Sequence, residues 1–131
     1  MPRRSVIAAA VLLGALALGG CSRHVIEVEH IDGLPDGVTV PVVNDGAPMA
    51  FASDDRLQIV TWGSSSCRPE LVDLTAEVDP PKIAFTTPRG SCTDDLAPTT
   101  FVLSAVEFGG TVPSRVVIEI DGTRSTVDVR D

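Results

Sequence analysis

The segment from residue 114 to residue 130 constrains the fold most, because its pattern is that of a β-hairpin. Apolar residues occupy every second position in two runs, from Val116 to Ile120 and from Val127 to Val129. Asp121-Gly122 lies between the runs, and both residue types tolerate the positive φ that two-residue hairpin turns require. A period of two places the apolar side chains of each arm on one face. The segment therefore predicts a hairpin that buries a valine–isoleucine surface.

Similar short runs recur along the chain and are separated by turn-forming residues. The run 57–62 is apolar on much of both faces, which is typical of a central strand. The run 72–78 alternates like a half-buried strand, although a helix that starts at Pro69 also fits its spacing. Further β-type runs cover residues 38–43, 83–87 and 99–108. Pro41 lacks an N–H group, which predicts an edge position for the first of them.

Seven or eight short strands predict an all-β fold. We expect an antiparallel β-sandwich that is immunoglobulin-like in general architecture, with a small β-barrel as the alternative. The aromatic core is small, and Trp62 precedes both internal cysteines rather than lying between them as in immunoglobulin domains.

The N-terminal segment has the composition of a secretory signal. Arg3 and Arg4 precede an apolar run from Val6 to Leu18, which is followed by Gly19-Gly20-Cys21. A positive start, a short apolar core and small residues at the end describe a cleavable signal peptide. An uncleaved transmembrane helix is the alternative, but the run is at the short limit for crossing a bilayer and contains glycines.

The sequence Leu18-Gly-Gly-Cys21 resembles the lipobox of bacterial lipoproteins. The resemblance implies cleavage before Cys21 and a diacylglyceryl group on its thiol, and two acyl chains give a stable membrane anchor. We therefore expect a signal peptide over residues 1–20, a lipidated N-terminus and tether over 21–36, and a β-sandwich domain over 37–131. Residues 24–30 fit either the tether or a first strand.

With Cys21 assigned to lipid, Cys67 and Cys92 remain. In an oxidising compartment outside the cytoplasm these two cysteines are expected to form one structural disulfide, which bridges the layers of the sandwich.

The charge balance disfavours nucleic acid as a partner. The chain has 10 basic and 18 acidic residues, and loss of Arg3 and Arg4 with the signal peptide leaves a net charge of −10. Affinity for nucleic acid comes from lysines and arginines that neutralise phosphates, so an acidic domain is a poor candidate. Apart from its lipid anchor, such a domain is also expected to have little affinity for an anionic lipid surface, which attracts basic segments.

Two elements around the internal cysteines form the most distinctive pattern. Thr61-Trp-Gly-Ser-Ser-Ser-Cys67 is followed by Ser91-Cys-Thr-Asp-Asp-Leu-Ala-Pro-Thr-Thr100. Together they resemble a group of small extracytoplasmic proteins of actinobacteria. The resemblance covers about residues 56–105 and implies a disulfide-linked β-unit, but no activity.

The residues that could carry chemistry do not form a recognisable catalytic set. The serines of Gly63-Ser-Ser-Ser-Cys67 lack a Gly-X-Ser-X-Gly elbow, and the two histidines, His24 and His30, lie close to the anchor. Paired carboxylates of a glycosidase are available, yet the domain lacks an aromatic platform for sugars. A hydrolase is therefore disfavoured, and no catalytic residue is assigned.

Metal binding is a second hypothesis with weak support. Asp54-Asp55 and Asp94-Asp95 could supply oxygen ligands, but neither pair matches a spaced calcium-binding loop. His24 and His30 would share a face of an extended strand. No metal site and no cofactor are predicted.

The sequence thus predicts a non-enzymatic lipoprotein at the extracytoplasmic face of the cell membrane. Its partners would be the membrane, through Cys21, and a protein of the cell envelope. The alternative is a lipoprotein that binds a metal or small ligand.

Overall fold

The computed structural model describes residues 25–41 and 45–131, and within them the chain is all-β. The described residues form eight strands and one 3₁₀ helix, Ala105–Phe108. The strands are β1 (Glu29–Asp32), β2 (Met49–Ser53), β3 (Arg56–Gly63), β4 (Glu70–Thr75), β5 (Lys82–Thr86), β6 (Ala97–Ser104), β7 (Arg115–Ile120) and β8 (Thr123–Arg130). The all-β prediction is therefore confirmed.

One curled sheet supplies both layers of the sandwich-like fold. Its strand order is β1-β6-β3-β2-β8-β7-β5-β4. Phe85 on β5 and Phe101 on β6 lie far apart in this order, yet their ring centroids are 4.9 Å apart. At the open seam, the Ile26 N–H donates to the Leu71 carbonyl at 2.9 Å, which joins the segment before β1 to β4. The sheet therefore folds back on itself as a half-barrel.

Most strand pairs in the described sheet are antiparallel, but two are not. β2 pairs with β8 in parallel, and β5 pairs with β7 in parallel. This differs from the fully antiparallel sandwich that was expected. The strands of each parallel pair are not consecutive in the chain, and parallel pairing requires such a long connection. The two-residue periodicity of a strand does not indicate which other strand it pairs with.

The concave face of the sheet holds the hydrophobic core. The fully buried side chains come from both halves, as alternation along each strand requires. The core cluster consists of Ala50, Leu57, Ile59, Leu71, Ile83, Phe85, Phe101, Leu103, Val116 and Ile118. The central position predicted for the run 57–62 is confirmed, because β3 lies between β6 and β2.

The strand directions divide the connections between two ends of the sheet. The segments 64–69 and 87–96 and the turn between β7 and β8 lie at one end, which we call the disulfide end. The turn between β2 and β3 and the segments 76–81 and 105–114 lie at the other, the distal end. Residues in loops far apart in sequence thereby become neighbours.

The predicted hairpin is confirmed. β7 and β8 pair in antiparallel register from Arg115↔Asp128 to Ile120↔Thr123. Asp121 has φ 49° and Gly122 has φ 85°, so both turn residues occupy the left-handed region. This is the turn whose twist matches that of the two strands, which is why the Asp-Gly pair was informative.

Two ambiguous runs are now assigned. Residues Glu70–Thr75 form a strand, so the helix that could have started at Pro69 is not formed. The long run from Thr99 does not stay extended to Phe108, because β6 ends at Ser104. The Ser104 side chain accepts a hydrogen bond from the Val106 N–H, and Gly109 closes the 3₁₀ turn in the left-handed conformation.

Two expectations about the N-terminal third were wrong. Residues 38–41 are not in a strand, and residues 42–44 lie outside the described part of the chain. The segment from Gly33 instead packs beside β6, where the Thr100 hydroxyl donates to the Gly33 carbonyl at 2.7 Å. The domain also begins before residue 37, since β1 pairs with β6 from Glu29↔Val102 to Asp32↔Thr99.

Candidate functional site

The disulfide Cys67–Cys92 is present and links two loops at one end of the sheet. Cys67 follows β3 and Cys92 precedes β6. These strands are adjacent and antiparallel, and the pair Gly63↔Ala97 brings the two loops together. The Cα atoms of the cysteines are 5.5 Å apart. The predicted pairing is therefore confirmed, but the bond joins neighbouring loops and does not bridge the layers as expected.

Five polar residues beside the disulfide form what we call the hydroxyl cluster: Ser64, Ser65, Ser66, Thr93 and Asp95. The Thr93 hydroxyl lies 2.7 Å from that of Ser64 and 3.3 Å from those of Ser65 and Ser66. The same hydroxyl donates a very short hydrogen bond to Asp95. The Thr93 N–H donates to the Ser66 hydroxyl at 2.9 Å. The cluster therefore ties the loop of Cys92 to the turn of Cys67.

Hydrogen bonds to Asp95 favour its charged form. The Thr93 hydroxyl is the largest cause, and the Ser65 side chain and N–H add to it, so that the pKa of Asp95 falls from 3.8 to about 2. A general base works best when its pKa is near the operating pH. A carboxylate whose pKa is so low is therefore a weak proton acceptor near neutral pH.

The pKa of Asp95 gives a test of the cluster in solution. Because its folded pKa is lowered, Asp95 contributes stability that is present above pH 3.8 and is lost as the pH falls through about 2. We expect the Asp95 carboxyl carbon to titrate by NMR with a midpoint near 2. Thr93→Val should move this midpoint upward more than Ser65→Ala does. A midpoint near 3.8 in the wild-type protein would show that the cluster is not formed.

The hydroxyl cluster lacks the partners of a catalytic serine. A nucleophilic serine needs a base within hydrogen-bond reach and a group that orients that base. Across residues 25–41 and 45–131, the hydrogen bonds of the three serines go to one another, to Thr93, Asp95 and Cys67. His30 lies on β1 with its ring centroid 6.2 Å from that of Phe101. The arrangement is suited to ordering a loop rather than to proton transfer.

The other candidate residues are not brought together. Asp54-Asp55 form the turn between β2 and β3 at the distal end, whereas Asp94-Asp95 lie at the disulfide end. His24 and Cys21 lie outside the described residues. In the part of the chain that the structure describes, there is no group of three or more His, Cys, Asp or Glu side chains placed to hold a metal ion.

A shallow depression of about 570 Å³ lies on the outer face of β4, β5 and β7. Val72 and Ala84 contribute apolar surface, and Arg89 and Glu119 contribute charge. The Glu119 carboxylate accepts a hydrogen bond from Arg124 at 2.6 Å. The Glu119 carboxylate is therefore already paired, whereas Arg89 takes part in none of the ion pairs of the described residues.

Sequence reasoning missed a second groove, at the distal end. It encloses about 520 Å³ between the segments 76–81 and 108–115. Its apolar residues are Ala76, Val78, Pro81, Phe108, Val112 and Pro113. Apolar residues among small, turn-forming ones were the only signal in these two loops. The groove itself forms because the sheet brings both loops to one end.

Comparisons with known proteins add no family. No family model, no curated protein and no solved structure matches this chain. Among the described residues, no helix has the length and apolar character needed to span a membrane.

Proposed function

We propose that this protein is a lipid-anchored, non-enzymatic protein of the extracytoplasmic face of the cell membrane. Its sandwich-like domain would present a binding surface to another component of the cell envelope. The observation that carries the proposal is the disulfide Cys67–Cys92. Disulfides persist in oxidising compartments and are rare in the cytoplasm, so this bond supports export.

The resemblance of Leu18-Gly-Gly-Cys21 to a lipobox supports the anchor. Cys21 precedes β1, which starts at Glu29, by only a few residues. A fully extended chain of this length spans at most about 30 Å. Lipidation of Cys21 would therefore hold the domain close to the membrane surface.

The state of the hydroxyl cluster supports a non-enzymatic role. Its serines bond to one another and to Thr93, and its carboxylate, Asp95, is stabilised in the ionised form. These groups order the two disulfide-linked loops. A rigid sheet whose loops are fixed in this way is a common scaffold for a binding surface.

The anchor can be tested by fractionating the native host. We expect the wild-type protein in the membrane fraction, and we expect it to be cleaved by protease added outside intact cells. Cys21→Ala should block processing and leave a longer precursor with the Met1 segment attached. Ser22→Ala is the matched control and should be processed like the wild type. Wild-type protein in the cytosolic fraction would contradict the proposal.

A further inference from the structure

The groove at the distal end has an apolar floor that the domain does not cover. Phe108 and Val112 pack against the core on one side and line the groove on the other. Val78 lies on its wall and is 48% exposed. An exposed valine and two partly buried apolar side chains thus line one concave surface, and contiguous apolar surface of this kind is found at interaction sites.

Acidic residues that form no ion pair within the described part of the chain lie on this groove and in the depression beside it, and we call them the acidic rim. Asp79 lies on its wall. Asp54, Asp55 and Asp131 line an adjoining depression that shares the segment 111–114 with the groove. None of these four acids takes part in the ion pairs of the described residues. Arg115 also borders the groove, but its guanidinium is paired with Asp128 at 2.9 Å.

We infer that the distal groove binds a cationic segment of another polypeptide that also carries apolar side chains. This inference rests on the proposed role as a binding domain, but it does not depend on the lipid anchor. The apolar floor would receive the partner's aliphatic side chains, and the acidic rim would face its lysines or arginines. Charge complementarity of this kind favours fast, selective association.

The same charges argue against other occupants. A second copy would place acidic rims face to face, and like charges in an interface are costly. An anionic lipid surface would be repelled by the rim. A single metal ion is not favoured, because the described acids do not form a group of three or more ligands. A polypeptide with separated positive charges fits acids that are spread over the groove and the depression beside it.

Binding can be measured by calorimetry on the mature protein in nonionic detergent. The probe is an acetylated, amidated peptide with three Lys-Leu-Gly repeats. The peptides with Glu-Leu-Gly and Lys-Ser-Gly repeats test the need for positive charge and for apolar side chains. We expect the first peptide to bind most tightly, and its affinity to fall as salt is raised, because exposed charges are screened. Equal binding of the glutamate peptide would overturn the inference.

Matched variants locate the site. Asp54→Asn with Asp79→Asn should weaken binding about fivefold, since each exposed charge pair contributes modestly. Asp36→Asn with Asp94→Asn removes the same charge away from the groove and should leave affinity unchanged. Val78→Ser should also weaken binding, whereas Leu96→Ser, at a side chain that is 54% exposed elsewhere, should not. Equal effects of the groove and control variants would contradict the inference.

Hydrogen exchange distinguishes a peptide from the membrane as the occupant. Addition of the Lys-Leu-Gly peptide should slow exchange in residues 105–114. The same protection in lipid nanodiscs without peptide would show that the bilayer covers the groove, which would overturn the inference. Failure of Cys21 lipidation would refute the proposed anchor but would leave these binding results unaffected.

Discussion

Replacing Ile118 with aspartate is expected to prevent folding. Ile118 lies on β7, is fully buried and belongs to the core cluster. Aspartate would remove the packing of its side chain and would place an unpaired charge in the core. The loss of packing alone costs about 2–5 kcal/mol, and an unpaired buried charge adds to this cost. The measurement is the yield of folded, exported protein and its unfolding curve in urea.

Two further variants make this prediction quantitative. Ile118→Ala should fold and should lower the free energy of unfolding by about 2–5 kcal/mol. Thr126→Asp places a new charge on the exposed face of β8 in the same hairpin, and a surface substitution of this kind should change stability by less than about 0.5 kcal/mol. If Ile118→Asp melted at the wild-type temperature, the concave face would not be the core and the curled sheet would be refuted.

Removing the disulfide is expected to have the second largest effect. Cys67→Ala with Cys92→Ala opens a loop whose ends are 25 residues apart in sequence. The chain-entropy model gives a loss of about 3.5 kcal/mol for a loop of this length. The free energy of unfolding in urea, measured for the wild type and the double variant, tests this value.

The hydroxyl cluster provides the control for this experiment. Reduction of the wild type should reproduce the loss of the double variant, because both remove the same covalent link between the two loops. Thr93→Val removes the hydrogen bonds of the Thr93 hydroxyl and leaves the disulfide intact, so it should cost less, about 1–2 kcal/mol. A double variant as stable as the wild type would mean that the loop is fixed by other contacts.

Sequence patterns predicted correctly those elements whose conformation depends on residues that are neighbours in the chain. The hairpin of β7 and β8 was predictable because the Asp121-Gly122 turn and the two-residue period agree. The run that could have been a helix from Pro69 became strand β4, because tertiary pairing with β5 decides such ambiguous spacing. The β-type run at residues 38–41 failed for the same reason, since no neighbouring strand pairs with it.

Long-range pairing explains what could not be predicted. Parallel pairing of β5 with β7 brings the segment 76–81 beside the segment 108–115, and no local pattern indicates this neighbourhood. The composition of these two segments alone therefore did not predict the distal groove. At the disulfide end, the two cysteine elements were expected to meet. There Asp95 accepts hydrogen bonds from the Thr93 hydroxyl and, across the disulfide, from the Ser65 N–H.

The two ends of the sheet differ in the chemistry of their loops. The disulfide and the cluster fix the loops at one end. The opposite end exposes apolar side chains beside unpaired carboxylates. The serines and Thr93 of the hydroxyl cluster therefore lie at the opposite end of the sheet from the distal groove that we propose for binding.

The intact mass of the mature protein, extracted from host membranes without reductant, decides whether the domain is exported and lipid-anchored. We expect a chain that begins at Cys21, carries a diacylglyceryl group and has no free thiol to react with an alkylating agent, because Cys67 and Cys92 are bonded to each other. Alkylation after reduction should then add two groups. A mass that includes Met1, or two freely alkylating thiols in the untreated protein, would contradict the account of an exported, lipid-anchored domain.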